Sequence, residues 1–269
     1  MSKEPVVVHD DDVAHAWAKA FDAITNDKTG ELSPMVVCVT GFENGVARED
    51  QDIRTLLDDS LKSHGLQSIR TVASTIFPSS LWNPARPASD LFRRYKRLLP
   101  QLRKCPLNRN GIYFERMIAY LPRNSSSEVN QIDYILSTRN SGNHRRSAYQ
   151  ISILDPTRDD TDQRQRGFPC LQQVSVTPIG GSELALTGYY ATQTMFERAY
   201  GNYLGLCELG RFFAHAFQMN LNRVTCVASL ARLDTNRIPA HDARALADAT
   251  MEIVVAKQES VLALTGDVK

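Results

Sequence analysis

No apolar run in the sequence approaches the roughly 20 residues that span a bilayer, so no membrane-crossing helix is expected. Net charge is nearly absent. The 31 Lys and Arg stand against 30 Asp and Glu, a formal +1. No bulk field therefore draws the chain to nucleic acid or to an acidic membrane, and any anion site has to be a local basic cluster. Cysteine is scarce. The five residues Cys38, Cys105, Cys170, Cys207 and Cys226 are scattered, odd in number and free of C-x-x-C spacing, which suggests neither a zinc site nor a disulfide framework. The start, MSKEPVVVHDDD, lacks a basic stretch followed by an apolar one, so no secretory signal is expected. Internal repeats and low-complexity tracts are also missing. These absences point to a reduced, cytoplasmic protein without metal, whose thiols are mostly buried small hydrophobes.

What is present is ordinary globular material. The chain has 269 residues, 42% hydrophobic and 23% charged, enough for one large domain or two small ones. Apolar periodicity predicts helices over 11–26, 48–65, 90–105, 111–121, 126–140, 194–220 and 239–266. Short β-branched or alternating runs predict strands over 35–42, 67–77, 147–154 and 223–234, and a hairpin from 171 to 190 turning at TPIGG. The Pro-rich stretch 78–89 is the best internal boundary, and 155–167 is a polar loop. Helices and strands mix without regular alternation, so the fold class is α+β.

The stretch GFPCLQQVSV (167–176) sets Cys170 after a proline at the entrance to a strand, where a ligand can reach a side chain. A lone cysteine is more often a core residue. Other motifs share the chain with it: IYFERMIAYL around Glu115, VNQIDYILSTRNSGNHRRSAYQISI with Arg145 and Arg146, and LALTGYYATQTMFERAYGNYLGL with Asn202. Taken alone, Glu115 is a helix charge, the arginine pair a loop feature and Asn202 a polar residue among glycines. His215 and Cys207 read as packing residues, and the Arg93, Arg94, Lys96 and Arg97 cluster as a solvated face.

In their order over about residues 109–234, these motifs resemble the thymidylate synthase superfamily, which includes the pyrimidine hydroxymethylases. The first hundred residues show no match. The resemblance implies a mixed sheet flanked by helices and a homodimer formed through that sheet. It implies Cys170 as nucleophile and Glu115 as proton relay. Arg145 and Arg146 would reach the partner subunit's nucleotide phosphate, and Asn202 would read the pyrimidine edge. It further implies a pyrimidine nucleotide as substrate and 5,10-methylenetetrahydrofolate as one-carbon donor.

The chemistry needs these residue types. C5 of a pyrimidine is a poor nucleophile until a thiolate adds to C6. Arginines favour the thiolate, a carboxyl group moves protons, and an amide both donates and accepts. The sequence departs from the family in several places. Ala191 stands at the family's phosphate-binding arginine, with Arg198 or Arg232 as substitutes. Thr192 replaces a serine and Thr194 the folate-contacting aspartate. Arg232 and Asp234 stand at the ribose-binding His and Tyr, and Leu171 at a histidine. The tryptophans of the folate pocket and the folate-closing tail are missing.

Three expectations follow. One is a divergent pyrimidine-nucleotide C5 methyl- or hydroxymethyltransferase. The second is a catalytically altered nucleotide-binding or scaffold protein, acting in a complex through its N-terminal part. The third is a structural subunit.

Overall fold

The computed structural model describes residues 4–122, 125–142, 145–160 and 168–266. The first half contains β1 (Val6–Asp10), α1 (Val13–Thr25), β2 (Glu31–Leu32), β3 (Met35–Val39), β4 (Phe42–Glu43), β5 (Val46–Ala47), α2 (Gln51–Ser63), α3 (Ile69–Ile76) and α4 (Ala88–Leu102). Then come α5 (Tyr113–Ile118), α6 (Gln131–Asn140), β6 (Gln150–Ser152), α7 (Pro156–Asp159), β7 (Leu171–Ile179), β8 (Glu183–Thr194), α8 (Tyr200–Phe217), β9 (Asn220–Arg232) and α9 (Ala240–Gly266). A π-helical turn, Met195–Ala199, joins β8 to α8.

The strands form one mixed sheet in the order β1-β3-β9-β8-β7-β6, with β2 beside β9, while β4 and β5 make a separate hairpin. The long strands β8 and β9 run parallel at its centre. β7 and β3 flank them antiparallel. The protein is therefore a mixed α+β structure with helices against a mixed sheet.

α8 lies against the sheet. A Cβ added at Gly188 of β8 would sit 2.8 Å from Leu206 Cδ1. α3 then packs on α8 at close range, because Gly201 and Gly205 present no side chain to it. Added Cβ atoms there would fall 2.5 Å from Val72 Cβ and 2.8 Å from the Ala73 carbonyl. α1 is tied to the π-helical turn by Trp17, whose indole N–H donates to the Met195 carbonyl at 2.9 Å.

The strand expected over 67–77 is instead the helix α3, Ile69–Ile76. Ser68 caps it by accepting from the Thr71 N–H. Ile69, Val72, Ala73 and Ile76 are buried, a helical spacing hidden within a β-branched run. The helix expected over 126–140 begins at Gln131, capped by Asn130, and that over 111–121 is only Tyr113–Ile118. β1, unmarked in the sequence reading, pairs parallel with β3.

The Pro-rich stretch is bound to the core, since Trp82 packs edge-on against Phe77 and Phe212. Of the expected polar loop, 155–160 forms one helical turn and its flank, and 161–167 lies outside the described residues. Among the described residues, no helix is long and apolar enough to cross a membrane. No group of three or more His, Cys, Asp or Glu among them is placed to hold a metal ion.

Candidate active-site cleft around Cys170

Cys170 sits at the step into β7, half-buried. Its carbonyl accepts from the Ala191 N–H of β8 at 3.0 Å, so the hairpin itself holds the turn. Two residues earlier, Phe168 is held on three sides. Tyr113 stacks on it with ring centroids 5.2 Å apart. The Arg116 guanidinium lies 5.2 Å from the ring centroid. Gly111, at φ 135, leaves no space for a side chain, since a Cβ there would be 2.6 Å from the ring.

Arg116 is itself fixed. It is buried, pairs with both oxygens of Asp159 at 2.8 and 2.9 Å, and donates to the Ile153 carbonyl at 3.0 Å. A bidentate buried pair of this kind restricts the guanidinium plane, and through Phe168 it restricts the cysteine turn. The Tyr113 hydroxyl lies 3.5 Å from the Leu171 amide nitrogen, against the same turn.

The thiol lines a cleft of about 140 Å³ that is continuous with solvent. Thr192 and Thr194 come from β8, Arg198 from the π-helical turn, Asn202 from α8, and Thr75 from α3. π-helical turns recur at functional sites; here the turn puts Arg198 and Asn202, four residues apart, on the same cleft. Asn202 is only 4% exposed, and among the described residues its amide makes no hydrogen bond. Its amide atoms are not among the fully buried polar atoms without a partner, so they reach the water of the cleft and are open to a ligand edge with a donor and an acceptor. Gln193 differs: its amide is engaged with Cys226 Sγ at 3.5 Å and the Tyr203 hydroxyl at 3.3 Å.

Burial pushes the Cys170 thiol above its ordinary pKa of 9.0, and the Arg198 charge opposes that push. Arg198 is held in place by Gln67 Oε1 at 2.7 Å and by Glu197 at 2.8 Å. Burial likewise raises the Tyr113 hydroxyl, with the Cys170 charge acting in the same direction. In the free protein the turn is therefore neutral near pH 7.

The structure brings together Cys170, Thr192 and Asn202. Of the two arginines considered as substitutes for the one missing at Ala191, Arg198 is the one in the cleft. Arg232 instead pairs with Glu31 at 3.4 Å, and Asp234 accepts from the Asn236 N–H at 3.3 Å; neither lines the cleft. Glu115 is ion-paired with Arg103 and lines a neighbouring cleft with Arg103, Arg109, Arg116 and Arg158. The two clefts share Asn108 and Gly111. Arg145 and Arg146 are exposed on the turn before β6, away from this cleft. Cys207 is buried, as expected of a packing residue, whereas His215 is exposed, its ring edge-on to Trp82.

Sequence reasoning missed Tyr113, Gln67 and Thr75. Tyr113 lies within the quoted Glu115 motif, two positions before the glutamate. Gln67 and Thr75 belong to the segment read as a strand.

No family model matches this chain, and no curated protein matches it.

Proposed function

We propose that this protein is a divergent pyrimidine-nucleotide C5 methyl- or hydroxymethyltransferase whose nucleophile is Cys170. One observation carries the reading. A half-buried thiol and an unpartnered, nearly buried amide face one cleft, with an arginine beside them. In the proposed reaction the Cys170 thiolate bonds to C6, and the C5–C6 π pair moves toward C4 and its oxygen. C5 then adds to a one-carbon electrophile at the formaldehyde level, whose oxygen takes up a proton, and gives its own proton to water in the open cleft. Expulsion of the thiolate restores the double bond and leaves the hydroxymethyl product, a methyl product requiring in addition a hydride from the one-carbon donor. Asn202 holds the base edge, Thr192 adds a hydroxyl, and Arg198 stabilises the thiolate.

The residues do not fit a folate as the resembled family holds one. Thr194 stands at the aspartate position, and no tryptophan lines the cleft. No step is derived through that group, and 5,10-methylenetetrahydrofolate stays the donor implied by resemblance alone.

The proposal includes a homodimer formed through the sheet. The face away from α8 carries Val36, Cys38, Thr225, Val227, Thr187 and Tyr189, partly or fully exposed and in register across β3, β9 and β8. In such a dimer Arg145 and Arg146 act on the partner subunit's nucleotide phosphate, which accounts for their exposure here.

The second reading, a nucleotide-binding protein without catalysis, is favoured by two specific features. The thiol is raised rather than lowered, and Glu115 is engaged by Arg103.

The test is calorimetric titration with dUMP, dCMP, UMP and CMP. We expect saturable binding of at least one, weakened about tenfold by Asn202→Ala, the effect of losing one hydrogen-bonded edge in a partly closed cleft. Absence of binding by all four would overturn both readings.

A further inference from the structure

The Cys170 cleft does not end at Thr75. A second cavity, of about 410 Å³, runs on from it between α3 and α4. The two share Gln67, Thr75, Asn108 and Ile112 in their walls. Most of the added wall is drawn from residues 67–108, outside the part of the chain that resembles a known family.

The chemistry of the two parts differs. In the annex most polar side chains are already engaged by the protein, the exception being the Tyr95 hydroxyl, which is buried without a partner. Ser74 Oγ donates to the Arg70 carbonyl at 2.8 Å, and Thr75 Oγ1 to the Val72 carbonyl at 2.7 Å, each within its own helix. Thr71 Oγ1 meets Ser68 Oγ at 3.0 Å. Asn108 Nδ2 donates to the Leu102 carbonyl at 2.9 Å, and Gln67 Oε1 is occupied by Arg198. Apart from the Tyr95 hydroxyl, what these groups leave for a ligand is mainly hydrocarbon, joined by Leu81, Leu98, Leu102, Ile112 and the Tyr95 ring. Leu98 is 39% exposed on an otherwise charged stretch of α4, a large apolar side chain that the protein covers only in part. The Cys170 end is the opposite, with a cation and an unpartnered amide.

We propose that the annex is a binding subsite for an apolar, aryl-sized arm of the small molecule whose polar, anionic or imide-like head sits at Asn202 and Arg198. An amphiphilic ligand of this shape pairs with the Asn202 amide at one end and removes Leu98 and Leu102 from water at the other. The inference rests on the reading of the Cys170 cleft as the ligand site, and it names the ligand class more narrowly. The molecule is a head bearing a hydrogen-bonding edge or anion together with an apolar substituent, rather than a bare monophosphate.

The experiment uses 8-anilinonaphthalene-1-sulfonate, whose sulfonate suits Arg198 and whose rings suit the annex. The full-length protein is titrated at neutral pH, with fluorescence as the readout. The expected result is saturable binding of one dye per chain, weakened about tenfold or more by Leu98→Asp, an exposed site that tolerates the change, and also by Leu102→Gln. Circular dichroism confirms that both variants are folded. No saturable binding, or binding that Leu98→Asp leaves unchanged, overturns the subsite. Parallel titration with the four nucleotides separates the two claims. Dye binding that responds to Leu98 while every nucleotide fails keeps the annex and removes the pyrimidine reading. Nucleotide binding without dye binding does the reverse.

Discussion

Arg198 and burial pull the Cys170 thiol in opposite directions, and burial prevails in the free protein. The rate of Cys170 alkylation should therefore rise with pH, with its midpoint above the ordinary thiol value of 9.0. Arg198→Ala removes the opposing charge, so its midpoint should move still higher. Iodoacetamide kinetics against pH, followed by peptide mass spectrometry, would record this. A midpoint in the variant equal to or below that of the parent would contradict the assignment of Arg198. Gly111→Ala works through geometry instead. Its Cβ has to displace the Phe168 ring, at a positive φ that alanine rarely adopts. The same alkylation profile should shift, because the turn carrying the thiol loses its fixed neighbour; an unchanged profile would show that the Phe168 clamp does not position the cysteine.

At the scale of elements, α3 and α8 show what a sequence can and cannot reveal. Gly201 and Gly205 stand out in the sequence of α8, but only the structure shows that α3 lies over them. Gly201→Ala would set a methyl 2.5 Å from Val72 Cβ and 2.9 Å from the Ile69 carbonyl. The expected cost of such overpacking is about 1–3 kcal/mol, visible as a lower thermal midpoint, and an unchanged midpoint would contradict the close packing.

The long amphipathic helices and the β7–β8 hairpin were legible because their apolar periods are strong and their turn residues plain. α3 was not, because Ile69, Val72, Thr75 and Ile76 read as β-branched strand material. Helical burial against the glycines of α8, five helices later in the chain, overrides that local preference. The cleft was legible in half. Cys170, Thr192, Asn202 and the substitute Arg198 lie on or next to the motifs that carry the resemblance. Gln67, Thr75 and the whole α3–α4 annex come from the part of the chain without such motifs. Arg232 and Asp234 were placed by alignment of a strand end, where the ion pair with Glu31 and the tight turn after β9 keep them elsewhere.

At the scale of the molecule, two properties can be checked without any ligand. The first is alkaline stability. Burial raises Cys170 and Cys207 and pushes Cys226 up to about 12, with Tyr113, Tyr190 and Tyr203 raised as well. Groups raised in the folded state ionise first in the unfolded chain. Their contribution is therefore intact below the ordinary thiol value of 9.0 and is lost as pH rises through the folded values. Urea midpoints should fall from about pH 8 to about pH 10.5; a flat profile would contradict the burial of these groups. The second property is assembly. The proposed sheet-to-sheet dimer should give a dimer mass by light scattering at micromolar concentration. Tyr189→Asp, at an exposed position whose hydroxyl meets Ser229 Oγ at 2.6 Å on the open face, should shift it toward monomer. A parent protein that is already monomeric would remove the dimer, and with it the role given to Arg145 and Arg146.

The central claim is that Cys170 adds to C6 of a pyrimidine, and release of tritium from 5-tritiated dUMP, dCMP, UMP and CMP measures it most directly. Addition at C6 makes C5 basic enough to exchange, so the account predicts release from at least one nucleotide. The assay is run with and without tetrahydrofolate and formaldehyde, and release should disappear in Cys170→Ser. No release from any of the four by folded protein, or release that persists in Cys170→Ser, would contradict it.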